Sequence, residues 1–90
     1  MLEYFHADDL KLVRHRIRKI RRTALEACGH FKQLPIDHPK AGEIARMDRA
    51  CRSVIAATRP SVVSKASFPE CMAMLAFTLA ATTGERKKLN

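Results

Sequence analysis

Apolar residues recur at intervals of three and four positions over two stretches of the chain, about residues 9–29 and 39–58, which is the spacing of one face of an α-helix. A third helical stretch, about residues 68–83, is apolar nearly all round. The first two apolar rows are Leu10, Val13, Ile17, Ile20, Ala24, Ala27 and Phe31, and then Ile44, Met47, Cys51, Val54 and Thr58. No strand pattern competes, so the sequence predicts one all-α domain of three helices over residues 1–90.

Residues that favour helix ends mark the predicted boundaries. Asp8 or Asp9 suits the cap of the first helix, and Gly29 suits its end. Pro39 suits the first turn of the second helix, because the amide that proline lacks has no partner there. Pro60 is expected to end the second helix, since proline disfavours helical geometry in the residue before it. The predicted connections between the helices therefore contain proline, and residues 1–7 form a short N-terminal arm.

The third helix has the clearest start signal. Ser67-Phe-Pro-Glu70 has the spacing of a capping box, in which serine and glutamate each bind the other's backbone amide. The helix that follows is apolar on nearly all sides, so we expect it to be buried and central. Its methionines, Met72 and Met74, fit either a core position or the interface of a homodimer. Gly84 is the expected stop, and residues 85–90 form a basic tail.

The charge of the chain indicates a binding protein. The chain carries 17 Lys and Arg against 9 Asp and Glu, a net charge of +8. The cations concentrate on the polar faces of the first two helices. These residues are Lys11, Arg14, Arg16, Arg18, Lys19, Arg21 and Arg22, and then Arg46, Arg49 and Arg52. The positive charges on such a face repel one another, so the sequence predicts an anionic partner, either a nucleic-acid backbone or an acidic protein surface. The alternative is a cationic face that contacts only solvent.

Other kinds of chemistry find little support in the sequence. Aromatic residues that could stack on bases are scarce, and Gln33 and Asn90 are the chain's only Gln and Asn. The three cysteines, Cys28, Cys51 and Cys71, are widely spaced and fit reduced, buried thiols. No nucleophile signature, phosphate loop or paired metal ligands occur, so we expect no enzyme, cofactor or metal site. The longest apolar run is too short for a membrane span, which favours a cytoplasmic protein without membrane contact.

One resemblance gives the anionic partner a candidate identity. The opening Met-Leu-Glu-Tyr-Phe-His-Ala-Asp-Asp-Leu, the Arg-rich helix and the Pro- and Ser-punctuated body resemble small early proteins of lambdoid bacteriophages. Among these the chain is most similar to the anti-RecBCD accessory proteins of Salmonella-type phages. The resemblance implies a non-catalytic protein that binds the host helicase–nuclease RecBCD at DNA ends. It would inhibit or modulate that enzyme in the bacterial cytoplasm, protecting phage DNA or favouring recombination.

The same resemblance implies a second host partner, a prolyl isomerase. Phe68-Pro69 is the most attractive contact, because an aromatic residue precedes the proline. The capping box, however, places this bond in the trans form at a helix start, so the two interpretations conflict. The alternative function, drawn from charge alone, is a small basic protein that binds double-stranded DNA directly.

Overall fold

The computed structural model describes the backbone of residues 7–89 and the side chains of residues 9–82. It contains four helices: α1 (Ala7–Phe31), α2 (Ala41–Ala57), α3 (Pro60–Lys65) and α4 (Phe68–Leu89). Within residues 7–89 there is no strand, so the predicted all-α class is confirmed. The segment after α2, expected to be a connection, instead forms the short helix α3.

Several helix ends differ from the prediction. Because α1 begins at Ala7, Asp8 and Asp9 lie within the helix and not at its cap. Gly29 lies inside α1 with an ordinary negative φ, and the helix continues for two more residues. Glycine permits a left-handed helix end but does not impose one, and a glycine inside a helix costs only about 1 kcal/mol. Residues 1–6, which make up nearly all of the expected arm, lie outside the described part of the chain.

The prediction for the end of the last helix is also wrong. α4 continues through Gly84 to Leu89, so residues 85–89 of the expected basic tail are helical. The second helix begins at Ala41, two residues later than Pro39, with Lys40 as its N-cap. Pro60 does separate two helices, as expected, but it does so by opening α3 as its first residue.

The three long helices run up, down and up. The C-terminal end of α1 lies against the start of α2, where Phe31 and Ile44 line the same cavity. Arg21, halfway along α1, hydrogen-bonds to the end of α2, so these two helices are antiparallel. α3 reverses the chain, and α4 then runs parallel to α1. This parallel course follows from Val13 sharing a core cluster with Cys71 and Ile20 lining a groove with Leu79.

The apolar rows predicted for α1 and α2 contribute Val13, Ile17, Ala24, Val54 and Thr58 to the core, and their other members are half-buried. The buried apolar side chains are Val13, Ile17, Ala24, Cys28, Val54, Val63, Ala66, Cys71 and Leu75. Thr58 and Thr78 are also buried, and their hydroxyls donate to the carbonyls of Val54 (2.7 Å) and Leu75 (2.9 Å). Most of these side chains are small. The radius of gyration is 15.2 Å, against about 12 Å for a compact domain of this length. The fold is therefore elongated around a thin core.

α4 is not the central, buried helix that its composition predicts. α1 contacts α2, α3 and α4, whereas α4 makes its main contacts with α1 and α2. The outer face of α4 is exposed: Met72, Phe77 and Leu79 keep 43%, 48% and 50% of their surface in contact with solvent. Met74 is half-buried and packs against the core cluster.

We expect Ser67→Ala to lower the free energy of unfolding by about 1 kcal/mol. The capping box is formed as predicted: Ser67 N–H donates to Oε1 of Glu70 (2.8 Å), and Glu70 N–H donates to Oγ of Ser67 (3.3 Å). Urea unfolding followed by circular dichroism measures the effect. Ser53→Ala, an exposed position within α2, is the control and should leave stability unchanged or slightly raised. Equal stability of the Ser67 variant and the parent would contradict a stabilising cap.

The capping box also makes the free energy of unfolding depend on pH. The pKa of Glu70 is lowered because the backbone N–H and the hydroxyl of Ser67 hydrogen-bond to its charged carboxylate. A lowered pKa in the folded state stabilises the protein at neutral pH, and this stabilisation is lost as the pH falls through the lowered value. Glu70→Gln should therefore be less stable than the parent at neutral pH and lose this deficit in acid. Unfolding measured over a pH series tests this, and a deficit that grows in acid would contradict it.

Candidate functional site

The structure divides the seven basic residues of α1 among three environments. Lys11, Arg18 and Arg22 are exposed and follow one another at intervals of seven and four residues, which places them on one face of the helix. These three residues, the exposed basic row, extend over roughly 16 Å of helix axis. Exposed His15 lies between them on the same face. The row is one part of the predicted cationic face that is open to a partner.

Arg14 has a structural role. It is half-buried, and its guanidinium reaches the junction between α3 and α4. Its Nε–H donates to the carbonyl of Val63 (3.1 Å), and its Nη2–H donates to the carbonyl of Ala66 (2.8 Å). The last carbonyls of a helix have no partner within the helix, and a cation is favourable at that end. Arg14 therefore caps the C-terminus of α3.

Arg21 does the same for α2. It lies two helical turns after Arg14, is also half-buried, and donates through Nη1 to the carbonyl of Ile55 and to Oγ1 of Thr58 (3.4 Å). Thr58 is the C-cap residue of α2. Helical spacing already indicates this difference: Arg14 and Arg21 flank the apolar row of α1 and share a side of the helix, whereas Arg18 and Arg22 point away from it.

Arg16 and Lys19 lie on the opposite edge of α1. Both are exposed and line a groove of about 320 Å³ with the apolar side chains Ile20, Leu75 and Leu79. They border α4 and so belong to a different surface from the exposed basic row.

The three arginines predicted on α2 also differ from one another. Arg46 is half-buried, whereas Arg49 and Arg52 are exposed. Nε of Arg52 forms an ion pair with Oδ2 of Asp48 (2.8 Å), four residues earlier on the same helix. An exposed pair of this kind contributes little to the stability of the fold, and Arg52 keeps a cationic group at the surface.

A basic concavity lies between α1 and α2. This basic groove has a volume of about 500 Å³. Its cations are Arg21 and Lys32 on one side and Arg52 and Arg59 on the other. Between them lie the apolar side chains of Leu25, Ile55 and Ala56. By helical spacing, Arg18 and Arg22 continue the line of Leu25 and Gly29 along α1, so the exposed basic row leads into the groove.

Sequence reasoning missed two of the groove's cations, Lys32 and Arg59. Lys32 follows the last residue of α1, and Arg59 is the N-cap of α3. Both lie outside the periodic segments on which the predicted cationic faces were drawn. They come together only because α1 and α2 are antiparallel, a relation that spacing along the chain does not show.

The groove continues into an apolar end at the α1–α2 loop. There Phe31, Leu34 and Ile36 line a cavity of about 230 Å³ that shares Lys32 and Arg52 with the basic groove. The Ile36 side chain is 98% exposed, at the tip of the loop. Large apolar side chains singly exposed are common, but one at the mouth of a cationic groove suits contact with a protein.

Two thiols lie beneath the groove. Burial raises the pKa of the Cys28 thiol, and a hydrogen bond to Asp48 adds to the effect. Burial also raises the pKa of Cys51, and Cys28 is close enough to contribute. Thiols with raised pKa values are protonated and weakly nucleophilic at neutral pH. The arrangement suits the packing of α1 against α2 and offers no activated nucleophile.

Phe68 and Pro69 lie in the first turn of α4. Phe68 is half-buried against the core cluster, whereas Pro69 is exposed. The peptide bonds of the described residues are all trans, including the four that precede proline. The structure thus places Pro69 in the helical start that the capping box predicts, with its ring accessible and the preceding aromatic side chain engaged in the core.

The described residues contain neither a cluster of metal-binding side chains nor a membrane-spanning helix. Among them, no three side chains of His, Cys, Asp or Glu converge in a way that could hold a metal ion. No helix in that part of the chain combines the length and the apolar content needed to cross a bilayer.

We expect Arg14→Gln and Arg21→Gln each to lower the free energy of unfolding by about 2 kcal/mol, because each removes charged hydrogen bonds to helix-end carbonyls. Arg18→Gln removes the same charge from an exposed site and should change stability by less than about 0.5 kcal/mol. Urea unfolding of the three variants gives the comparison. Equal effects at all three positions would mean that Arg14 and Arg21 do not act as caps.

No protein-family model, curated protein or solved structure matches the chain.

Proposed function

We propose that the chain is a non-catalytic protein that binds an acidic surface of a host DNA-processing enzyme through its basic groove. The resemblance described above gives that enzyme as the DNA-end helicase–nuclease RecBCD, in the bacterial cytoplasm. The observation that carries the proposal is the composition of the groove. Cations on both walls enclose exposed apolar side chains, a combination typical of a surface that meets protein.

Apolar side chains favour a protein partner over DNA. Leu25 is 46% exposed between cationic walls, and Ile36 lies fully open at the adjoining end of the groove. Contacts to a DNA backbone use cations, amides and hydroxyls, and they gain nothing from leucine or isoleucine. Protein interfaces combine an apolar centre, in which arginine is enriched, with a polar rim. An acidic surface carrying a few apolar residues would complement both features of the groove.

The effect on the enzyme follows from binding alone. Among the described residues no metal cluster is found, and the thiols of Cys28 and Cys51 have raised pKa values. A protein of this size can inhibit or redirect a larger enzyme by covering a surface that the enzyme needs for DNA or for movement between its parts. The chain would then protect phage DNA ends, or favour recombination, without changing DNA itself.

Direct binding to double-stranded DNA is the second candidate. One observation favours it: Lys11, Arg18 and Arg22 are exposed along one straight face of α1. A row of this kind can contact successive phosphates and release counterions. Such binding would fall steeply with salt and would not depend on Leu25 or Ile36.

The decisive experiment compares binding of the full chain to purified RecBCD and to a plain DNA duplex over a range of salt concentrations. We expect the double variant Lys32→Gln/Arg59→Gln to bind the enzyme at least roughly tenfold more weakly, because it loses two groove cations that would face an acidic surface. Leu25→Gln should weaken enzyme binding while leaving any binding to DNA unchanged. Lys40→Gln/Lys65→Gln removes the same charge from exposed positions that do not line the groove, and it is the matched control.

Each result has a defined meaning. Loss of enzyme binding in both groove variants, with the control unaffected, supports the proposal. Steep salt-dependent binding to the duplex together with no binding to the enzyme supports the alternative function. Equal loss in the groove variant and in the control would mean that net charge, and not the groove, governs binding.

A further inference from the structure

The outer face of α4 is an uncharged apolar surface on a strongly cationic protein. No residue from Cys71 to Thr82 is charged. Besides the exposed side chains of Met72, Phe77 and Leu79, this face presents three exposed alanines, Ala73, Ala76 and Ala80. Neither the basic groove nor the exposed basic row includes any of these residues. A contiguous apolar surface of this kind marks an interaction site.

We propose that this face pairs with the same face of a second copy of the chain, with the two α4 helices antiparallel. Charge favours this occupant. An acidic protein or a nucleic acid would bind the cations of α1 and α2 and would gain no electrostatic attraction from residues 71–82 of α4. Two copies of a chain with net charge +8 repel each other at most orientations, and this repulsion is least where neutral surfaces meet.

The sizes of the side chains make the face complementary to itself. Met72, Ala76 and Leu79 are spaced by four and three residues, and Ala73 and Ala80 flank them on the same outer side. If the two-fold axis passes beside Ala76, antiparallel pairing sets Met72 opposite Ala80 of the second copy and Leu79 opposite its Ala73. Each large side chain then faces a small one, and every contact occurs twice, as a two-fold interface requires. Alanine at the centre lets the helix axes approach closely.

The thin core gives the pairing a physical reason. Small domains rarely bury enough apolar surface on their own, and association of identical chains is one way in which they do so. Here the fold is elongated, most of the buried side chains are small, and Met72, Phe77 and Leu79 remain about half exposed. A second copy in this register would cover Met72 and Leu79 without disturbing the contacts of α4 with α1 and α2.

Arg16 and Lys19 give the pairing a salt dependence. They lie at the edge of α4, in the groove that contains Leu79, so two paired copies bring like charges to the rim of the interface. Salt screens this repulsion, because the Debye length falls from about 10 Å at 0.1 M to about 3 Å at 1 M. Pairing of the copies should therefore strengthen with salt, whereas binding of an anionic partner to the basic groove should weaken.

Sedimentation equilibrium of the full chain, in the absence of any partner, tests the proposal. We expect a monomer–dimer equilibrium whose dimer fraction rises between 0.1 M and 1 M salt, over the range that shortens the Debye length to about 3 Å. Ala76→Glu places two carboxylates against each other at the two-fold axis and should weaken the dimer at least roughly tenfold. Ser53→Glu adds the same charge at an exposed position of α2 and should leave the dimer intact. Circular dichroism establishes that both variants are folded.

A cross-linking variant tests the register of the two helices. Ala76→Cys puts two thiols near each other at the axis, and oxidised glutathione should convert them to a disulfide-linked dimer. Ser53→Cys should give none under the same conditions. A parent chain that stays monomeric at both salt concentrations would overturn the proposal and leave this face to a different protein. A dimer unaffected by Ala76→Glu would place the interface elsewhere. Neither result would bear on the groove, so the proposed function is tested separately.

Discussion

The hydrogen bonds from Arg14 and Arg21 to helix-end carbonyls are the constraint on which the arrangement of the four helices depends. Between the end of α2 and the start of α4 the chain changes direction twice, and each change leaves carbonyls without partners in a helix. Arg21 binds those at the end of α2, and Arg14 binds those at the end of α3. Both arginines belong to α1, so this helix fixes the path of the connection and hence the position of α4.

α1 and α2 could be predicted from the sequence because their apolar rows are periodic, and Val13, Ile17, Ala24, Val54 and Thr58 of these rows are buried in the core. α3 could not, since six residues rarely form a stable helix alone. It exists because Val63 and Ala66 are buried against α1 and because Arg14 caps its end. The burial of α4 was wrongly predicted for a related reason. Composition shows that a helix can be buried on every side, but the number of neighbouring helices decides whether it is.

The candidate site was predictable only in part, for reasons of geometry. A helical pattern identifies which cations share a face, so the exposed row of Arg18 and Arg22 could be derived from the sequence. It does not show that Lys32 and Arg59, twenty-seven positions apart, meet across a groove. Nor does charge alone distinguish an arginine that binds carbonyls from one that faces solvent. That distinction depends on where the ends of other helices lie, which is a property of the fold.

The basic groove and the outer face of α4 would not act independently if both proposals hold. An acidic partner in the groove neutralises charge that otherwise opposes the approach of a second copy. Binding of the partner would then strengthen pairing, and by thermodynamic reciprocity pairing would strengthen binding of the partner to the same extent. The coupling needs no change of shape, because it acts through the net charge of +8. It should therefore diminish as salt screens that charge, even though salt strengthens pairing of the copies alone.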